Sequence, residues 1–540
     1  MTLGKAPTQG SIFRSATEHC DKQLPETSIY KLLHRESHQL FADEEFADLF
    51  MGTGRNCVPP RILAVVMVLQ RFEGLSDREA VDRFTFDARW KYAAGGLESE
   101  YPSFVHTVLV NMRARLRKSE RPDRIFDVVL DVARKAGFVG KKRVLDSTAL
   151  YDAVATQDTI TMIRSAIRGL LRISNVALET EIRAVLARDD DYVTPGKPVC
   201  DWDDEPAREA LVDALVKDAY STLWLLDDRA VDAEVTQALS LLATVVGQDI
   251  EQREDGVFRI LRGVAPDRVI STVDPEARHG HKTSARGFDG YKGHISEDPD
   301  SEIITATTVT PGNAADGSVA AELLEEVFAS EGPSAAGSGD EATGSTEGAS
   351  KSKVEIYGDA SYGTADIVEH IEGKGAVANV KVQAPSSRTG MYSKTAFEID
   401  LDAGTVRCPR RVLVVIQPRA DGAGNASFGD HCKDCPLREQ CTTSSQGRQI
   451  KIHPRERTLA RKRAQQRDPA WKERYRATRP KVERKLAHMM RRRHGGRRAR
   501  VRGIERVRSD FALLAAAANL RRLAMLRART TSPVTSRVSP

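Results

Sequence analysis

Apolar residues recur at helical spacing from Ser28 to about Leu116. The runs Pro60 to Gln70 and Asp77 to Phe84 carry the pattern most clearly. Ser76, followed three residues later by Glu79, is a capping-box signature for the second run. An all-helical domain over residues 28–120 follows, after a flexible lead-in at 1–27. Such a domain either recognises a DNA end through a helix in the major groove, or serves packing and dimerisation.

Beyond residue 121 the pattern becomes mixed. A helix is followed by a strand over Lys142 to Leu145, ending at Asp146. Strand character returns at Val269–Val273, then at Tyr291–Ser296 and Glu302–Thr310, with a turn at residues 297–301 between the last two. Residues 318–329 read as an amphipathic helix. The Gly-, Ser-, Ala- and Glu-rich stretch 331–353 reads as a disordered loop. A strand at Lys353–Tyr357 leads into Gly358 and Asp359, then a helix starts near Gly363, then a strand covers Ala376–Val382. Residues 121–155 and 263–384 are thus two parts of one α/β core, separated by a helical, mostly acidic insertion at 156–262. Residues 385–460 are irregular and hold four cysteines. In the basic stretch 461–528, Asp468-Pro469 starts a helix. Pro480 is expected to break it, so that a second helix containing Glu483 begins there. A last apolar helix covers about Ser509–Leu526, and 529–540 is a flexible tail.

Composition sharpens this picture. With 540 residues, 40% of them hydrophobic, the chain can build two to four domains. No stretch reaches the roughly 18–20 apolar residues of a membrane helix, so no membrane partner is expected. The polar N-terminus argues against secretion and for a cytoplasmic place, in a bacterium the nucleoid. The net charge of +5 hides an asymmetry, because residues 451–530 hold 27 Lys or Arg against 6 Asp or Glu. That region therefore favours a polyanion such as DNA, whose phosphates release counterions when neutralised.

Three carboxylates then stand out. Asp146 and Asp359 each follow a short apolar strand, and strand ends of an α/β sheet can converge on one point. Glu483 lies on a helix among Lys481, Arg484 and Lys485. Three converging carboxylates suit Mg²⁺ or Mn²⁺, and two such ions suit phosphoryl transfer. Among seven cysteines, Cys408, Cys432, Cys435 and Cys441 are spaced C-x23-C-x2-C-x5-C. The C-x2-C pair suits a structural Zn²⁺, with His431 and His453 as reserve ligands. The alternative is ordinary reduced thiols.

The motifs also resemble a known family. Val144-Leu145-Asp146-Ser147-Thr148, Gly358-Asp359-Ala360-Ser361-Tyr362-Gly363 and Tyr475…Arg479…Glu483 resemble the three catalytic motifs of DDE transposases of bacterial insertion sequences. Asp274 to Arg278, Gly290-Tyr291-Lys292-Gly293-His294 and Thr310 to Ala314 resemble the body of the same core. Val58-Pro59-Pro60 and Glu73 to Ala80 resemble its N-terminal domain, and Arg498 to Gly503 with Ala515 to Leu520 its end. The resemblance spans roughly 28–526. It departs in the spacing of Tyr475 and Arg479, which is one residue wider than usual.

The resemblance implies a ribonuclease-H-like core, a mixed sheet flanked by helices, carrying the all-helical N-terminal domain, the helical insertion and a zinc-ribbon-like insertion. It implies a cut-and-paste transposase that binds the terminal inverted repeats of its element, cleaves and transfers strands, and acts as a homodimer or higher when two DNA ends are held. Asp146, Asp359 and Glu483 would be its metal-binding triad. Arg479 would bind a phosphate, unless it only pairs with Glu483. Tyr475, Asp274, Arg278, His279, His281, Lys282 and Lys292 are candidates for DNA contact or support, with Asp274 alternatively a turn residue. The competing function is a DNA-binding repressor or domesticated transposase without catalysis.

Overall fold

A computed structural model of the chain describes residues 16–51, 57–283, 286–329, 353–387 and 390–531. At its centre is a six-stranded mixed sheet. Its strands are β1 (Lys142–Tyr151), β2 (Arg278–Thr283), β3 (Arg286–Asp298), β4 (Ile303–Pro311), β5 (Glu355–Gly358) and β6 (Val377–Val380). The long β3 runs antiparallel to β1 on one side, and to β2 and β4 end to end on the other. On its far side β1 pairs in parallel with β5, and β5 with β6.

Side chains alternate across the pleat, so neighbouring residues serve opposite layers. Val144 and Leu150 belong to a core shared with the N-terminal helices and the C-terminal helix Ile504–Thr531. Leu145 belongs to a second core under the helices Ala320–Ala329 and Ala365–Gly373. The sheet is thus flanked by helices on both faces.

The sequence motifs acquire physical meaning here. Gly290 has φ +138°, and a Cβ there would lie 2.3 Å from the Leu150 carbonyl oxygen. Gly293 leaves room for the Phe511 ring, which a Cβ would approach to 2.7 Å. Between them Tyr291 is fully buried and donates to Asp274 at 2.6 Å. Near the β3–β4 turn the register slips by one residue. There the Asn519 amide accepts from Ile304 N and donates to Ile304 O, both at 2.8 Å. This satisfies backbone groups that the irregular ladder leaves unpaired.

The N-terminal region is helical as expected, including the capping box between Ser76 and Glu79. The insertion forms four helices, Thr159–Ile173, Val176–Val185, Glu205–Leu225 and Ala233–Asp249, around a hydrophobic core of its own. The cysteine-bearing stretch forms two small three-stranded antiparallel sheets around Phe397, Val406, Phe428 and Ile450. No helix among the described residues is long and apolar enough to cross a membrane.

Five local expectations change. The first strand does not stop at Asp146, because residues 147–151 continue the ladder against His294 to Gly290. Val269–Val273 is not a strand and keeps one isolated bridge, Val269 with Arg278. The lead-in 1–27 is not wholly irregular, since Ala16–Gln23 is helical. The last helix reaches Thr531, into the expected tail. Pro480 does not end a helix, because Pro469–Met489 is continuous through it. Trp471, Arg479, Val482, Leu486 and Met489 form a buried stripe along that helix. Their packing outweighs the roughly 3 kcal/mol that an interior proline costs. The expected disordered loop 331–353 lies outside the described residues, apart from Lys353.

Candidate active site

Three elements bring the carboxylates together. Asp146 lies in mid-strand on β1, opposite Ile295 of β3. Val144 and Asp146 share a face, so Asp146 points toward the Pro469–Met489 helix. Asp359 directly follows β5, where the chain turns so that Ser361 N donates to its Oδ1 at 2.9 Å. Glu483 sits one helical turn after Arg479. The helix is fixed by its Asp468 cap, whose carboxylate accepts from Ala470 N and Trp471 N. It is fixed also by Tyr475, stacked on Trp471 and donating to the Gly358 carbonyl at 3.1 Å.

Arg479 is the hub. Its guanidinium forks onto Asp146, with Nη2–Oδ1 at 2.9 Å and Nη1–Oδ2 at 3.0 Å. It also reaches Asp359 Oδ2 and Glu483 Oε1, each at 3.7 Å. The expectation of a simple Arg479–Glu483 pair is therefore too narrow. Exposure rises outward across the set, 8% for Arg479, 13% for Asp146, 41% for Asp359 and 63% for Glu483. Burial pushes the Asp146 carboxyl above its usual range, and Arg479 only partly counters this because three acids share it. Burial also opposes the charge on Arg479, but Asp146, together with Asp359 and Tyr475, outweighs it and holds the guanidinium above its ordinary value. Arg479 Nε is buried without a partner among the described residues.

These residues line an open cavity of about 570 Å³. His281, Lys282, Lys292 and Arg497 also line it, so that basic side chains share the wall with the carboxylates. Lys292 donates to Asp316 at 2.8 Å, and the other Asp316 oxygen accepts from Ser147 Oγ at 2.7 Å. Asp316 and Arg497 were not singled out from the sequence. Asp316 stands just past the Thr310–Ala314 motif, and Arg497 just before the Arg498–Gly503 motif, so the signal lay at the motif edges. His294, beneath the cavity, is buried between Tyr362 and Thr310, and burial lowers it to about 4.

Not every candidate arrives at the cavity. Asp274 is buried, accepting from Tyr291 and from Gly503 N at 3.2 Å, so it braces the core and does not line the cavity. Arg278 pairs with Asp267 at 2.8 Å and does not line the cavity. His279 pairs instead with Asp289.

The oxygen-only donor set fits a hard divalent ion. Among the described residues, however, no three His, Cys, Asp or Glu side chains are arranged to grip a metal as they stand. At the carboxylates the reason is visible, since the Arg479 cation lies between them. Elsewhere, Cys408, Cys432, Cys435, Cys441 and His431 line one small cavity. Burial raises the Cys441 thiol, and the other three sulfurs raise it further against the pull of Arg448. Such mutual repulsion among thiolates is what a bound cation relieves.

Comparison with known families adds two findings. A transposase DDE domain matches residues 408–524, and a transposase domain of the DUF772 type matches residues 18–115. Both matches support a DDE transposase of an insertion-sequence family, and each covers less than half of the chain. The DDE match covers Cys408, Cys432, Cys435, Cys441, Arg479, Glu483 and Asn519, while Asp146 and Asp359 lie outside both matched spans. Their association with Glu483 is a matter of geometry. No curated protein and no solved structure matches the chain.

Proposed function

We propose that this transposase binds the terminal inverted repeats of its element and catalyses metal-dependent cleavage and transfer of DNA strands. The observation that carries the proposal is the convergence of Asp146, Asp359 and Glu483, from three separate elements, on one guanidinium in an open cavity that Lys282, Lys292 and Arg497 also line. The mixed sheet flanked by helices supports a ribonuclease-H-like core. When bound, two Mg²⁺ or Mn²⁺ ions would supply an activated nucleophile and charge stabilisation at the leaving oxygen.

The chain's own residues do the rest. Asp146, Asp359 and Glu483 are the oxygen donors that hold the ions. Arg479 leaves its fork on Asp146 and turns to a phosphate oxygen beside the cut, a role that its planar donors suit. Its unpaired Nε is available for the same contact. Lys292, held by Asp316, and Lys282 and Arg497 on the cavity wall take neighbouring phosphates. Tyr475 keeps the helix seated against Gly358. Cys408, Cys432, Cys435 and Cys441 hold a structural Zn²⁺ that fixes the small two-sheet unit. Two ends held together require at least a dimer.

The test incubates the full chain with Mg²⁺ and linear DNA carrying the inverted repeats that flank its gene. Joined strands are expected. Cleavage without joining would favour a nuclease, and binding without cleavage would favour the repressor reading.

A further inference from the structure

A second cavity, of about 480 Å³, opens between the N-terminal helices and the start of the Ile504–Thr531 helix. Its walls include Arg71, Arg113, Arg117, Arg500 and Arg506. Acidic partners satisfy some of these. Arg113 pairs with Asp77 at 2.6 Å, and Arg71 with Asp510 at 3.0 Å. Arg500 donates to the Leu75 carbonyl. Arg117 on the Thr107–Lys118 helix and Arg506 have no hydrogen bond or ion pair among the described residues. Both line this cavity, where burial first and then the neighbouring Arg506 charge lower the Arg117 guanidinium, with Glu505 pulling the other way.

Unpaired guanidiniums gathered in a cleft call for an anion. Two features decide which one. Arg497 lines the catalytic cavity and Arg500 lines this one. Three residues of chain span at most roughly 10 Å. That backbone separation is on the scale of a few nucleotides of one strand, at about 3.4 Å per phosphate along the axis. Apart from Arg117, which lies just past the first span, the lining residues come from the two regions with transposase matches, residues 18–115 and 408–524.

We propose that this cleft is a phosphodiester-binding subsite for DNA running from the catalytic cavity onto the N-terminal domain, with Arg117 and Arg506 as its free contacts. The proposal rests on the transposase reading above. It couples end recognition to catalysis through the backbone, without reading bases.

The experiment measures binding of a short duplex of arbitrary sequence to the full chain over a range of salt concentrations. R117Q/R506Q is compared with R117K/R506K and with the parent. Each lost phosphate contact lowers the slope of log affinity against log salt by about 0.9. R117Q/R506Q is expected to lose about 1–2 in slope and at least about tenfold in affinity at low salt, while R117K/R506K keeps the parent slope. Both variants should melt with the parent, because neither arginine has a partner to lose. A parent that binds no duplex would overturn the transposase reading and the subsite together. A parent that binds, with an unchanged slope in R117Q/R506Q, would overturn the subsite alone. Loss of slope in both variants, or loss of fold in either, would show a structural role and overturn it too.

Discussion

Replacing Arg479 with alanine tests the arrangement of the site without needing turnover. In the parent, one guanidinium is forked onto Asp146 at 2.9 and 3.0 Å and lies 3.7 Å from both Asp359 and Glu483. R479A leaves three carboxylates facing one another, with Asp146 nearly buried. Removing one partner of a buried pair costs about 3–5 kcal/mol. The lower end applies here, because burial already pushes the Asp146 carboxyl upward and it can take a proton instead. About 3 kcal/mol is therefore expected without divalent ions. Mg²⁺ should restore much of it, since a ligand at 100 times its Kd stabilises by about 2.7 kcal/mol. In the parent the ion competes with Arg479, so its effect should be smaller. The assay is urea unfolding of both chains with and without MgCl₂, followed by tryptophan fluorescence. If R479A unfolds like the parent, and Mg²⁺ shifts both equally, Arg479 is not the cation that balances these carboxylates.

Three further outcomes follow from the same geometry. Asp316→Asn weakens the hold on Lys292 and Ser147, and should lower strand-transfer activity about 10–100-fold with little change in DNA affinity. Zinc analysis should find about one ion per chain, lost together with protease resistance of residues 385–460 in Cys435→Ser; a metal-free parent with the same resistance would remove the zinc assignment. Acidification should destabilise the contact between the N-terminal helices and the C-terminal region. His494 donates from Nδ1 to the Phe72 carbonyl and accepts from Arg493 at Nε2, so its ring must be neutral. Burial lowers it to about 4, below its ordinary 6.5. The unfolded chain then binds the extra proton first. Stability is fully present above pH 6.5 and is lost as pH falls toward 4, by roughly 3 kcal/mol from this residue. His494→Gln should flatten that part of the profile.

The sequence drew attention to residues that line one cavity, but it misread parts of the local structure around them. Asp359 was legible because an apolar strand, β5, really does end just before it. Asp146 lines the cavity, but not from the strand end that the sequence suggested. Its polarity looks like a strand end, yet Thr148 to Tyr151 keep pairing with β3, and the acid projects from mid-strand. Pro480 misled for the converse reason. A local breaker signal was outweighed by a stripe of long-range contacts, visible only once the sheet that the helix packs on is known. Strand β2 was hidden because His279, His281 and Lys282 carry no apolar alternation. Asp274 looked like chemistry but is a buried acceptor for Tyr291, a pairing that a separation of 17 positions conceals. Arg479 was singled out, but its strongest partner, Asp146, lies 333 residues away, beyond any local pattern.

The central claim is that Asp146, Asp359 and Glu483 act together as the metal-holding chemistry of a strand-transfer enzyme. The most direct test is a Mg²⁺-dependent strand-transfer assay on end DNA with the near-isosteric variants Asp146→Asn, Asp359→Asn and Glu483→Gln, each checked for DNA binding. Joined product from the parent, and none from any variant that still binds the ends, is the predicted result. Undiminished joining by any one of the three variants would contradict it.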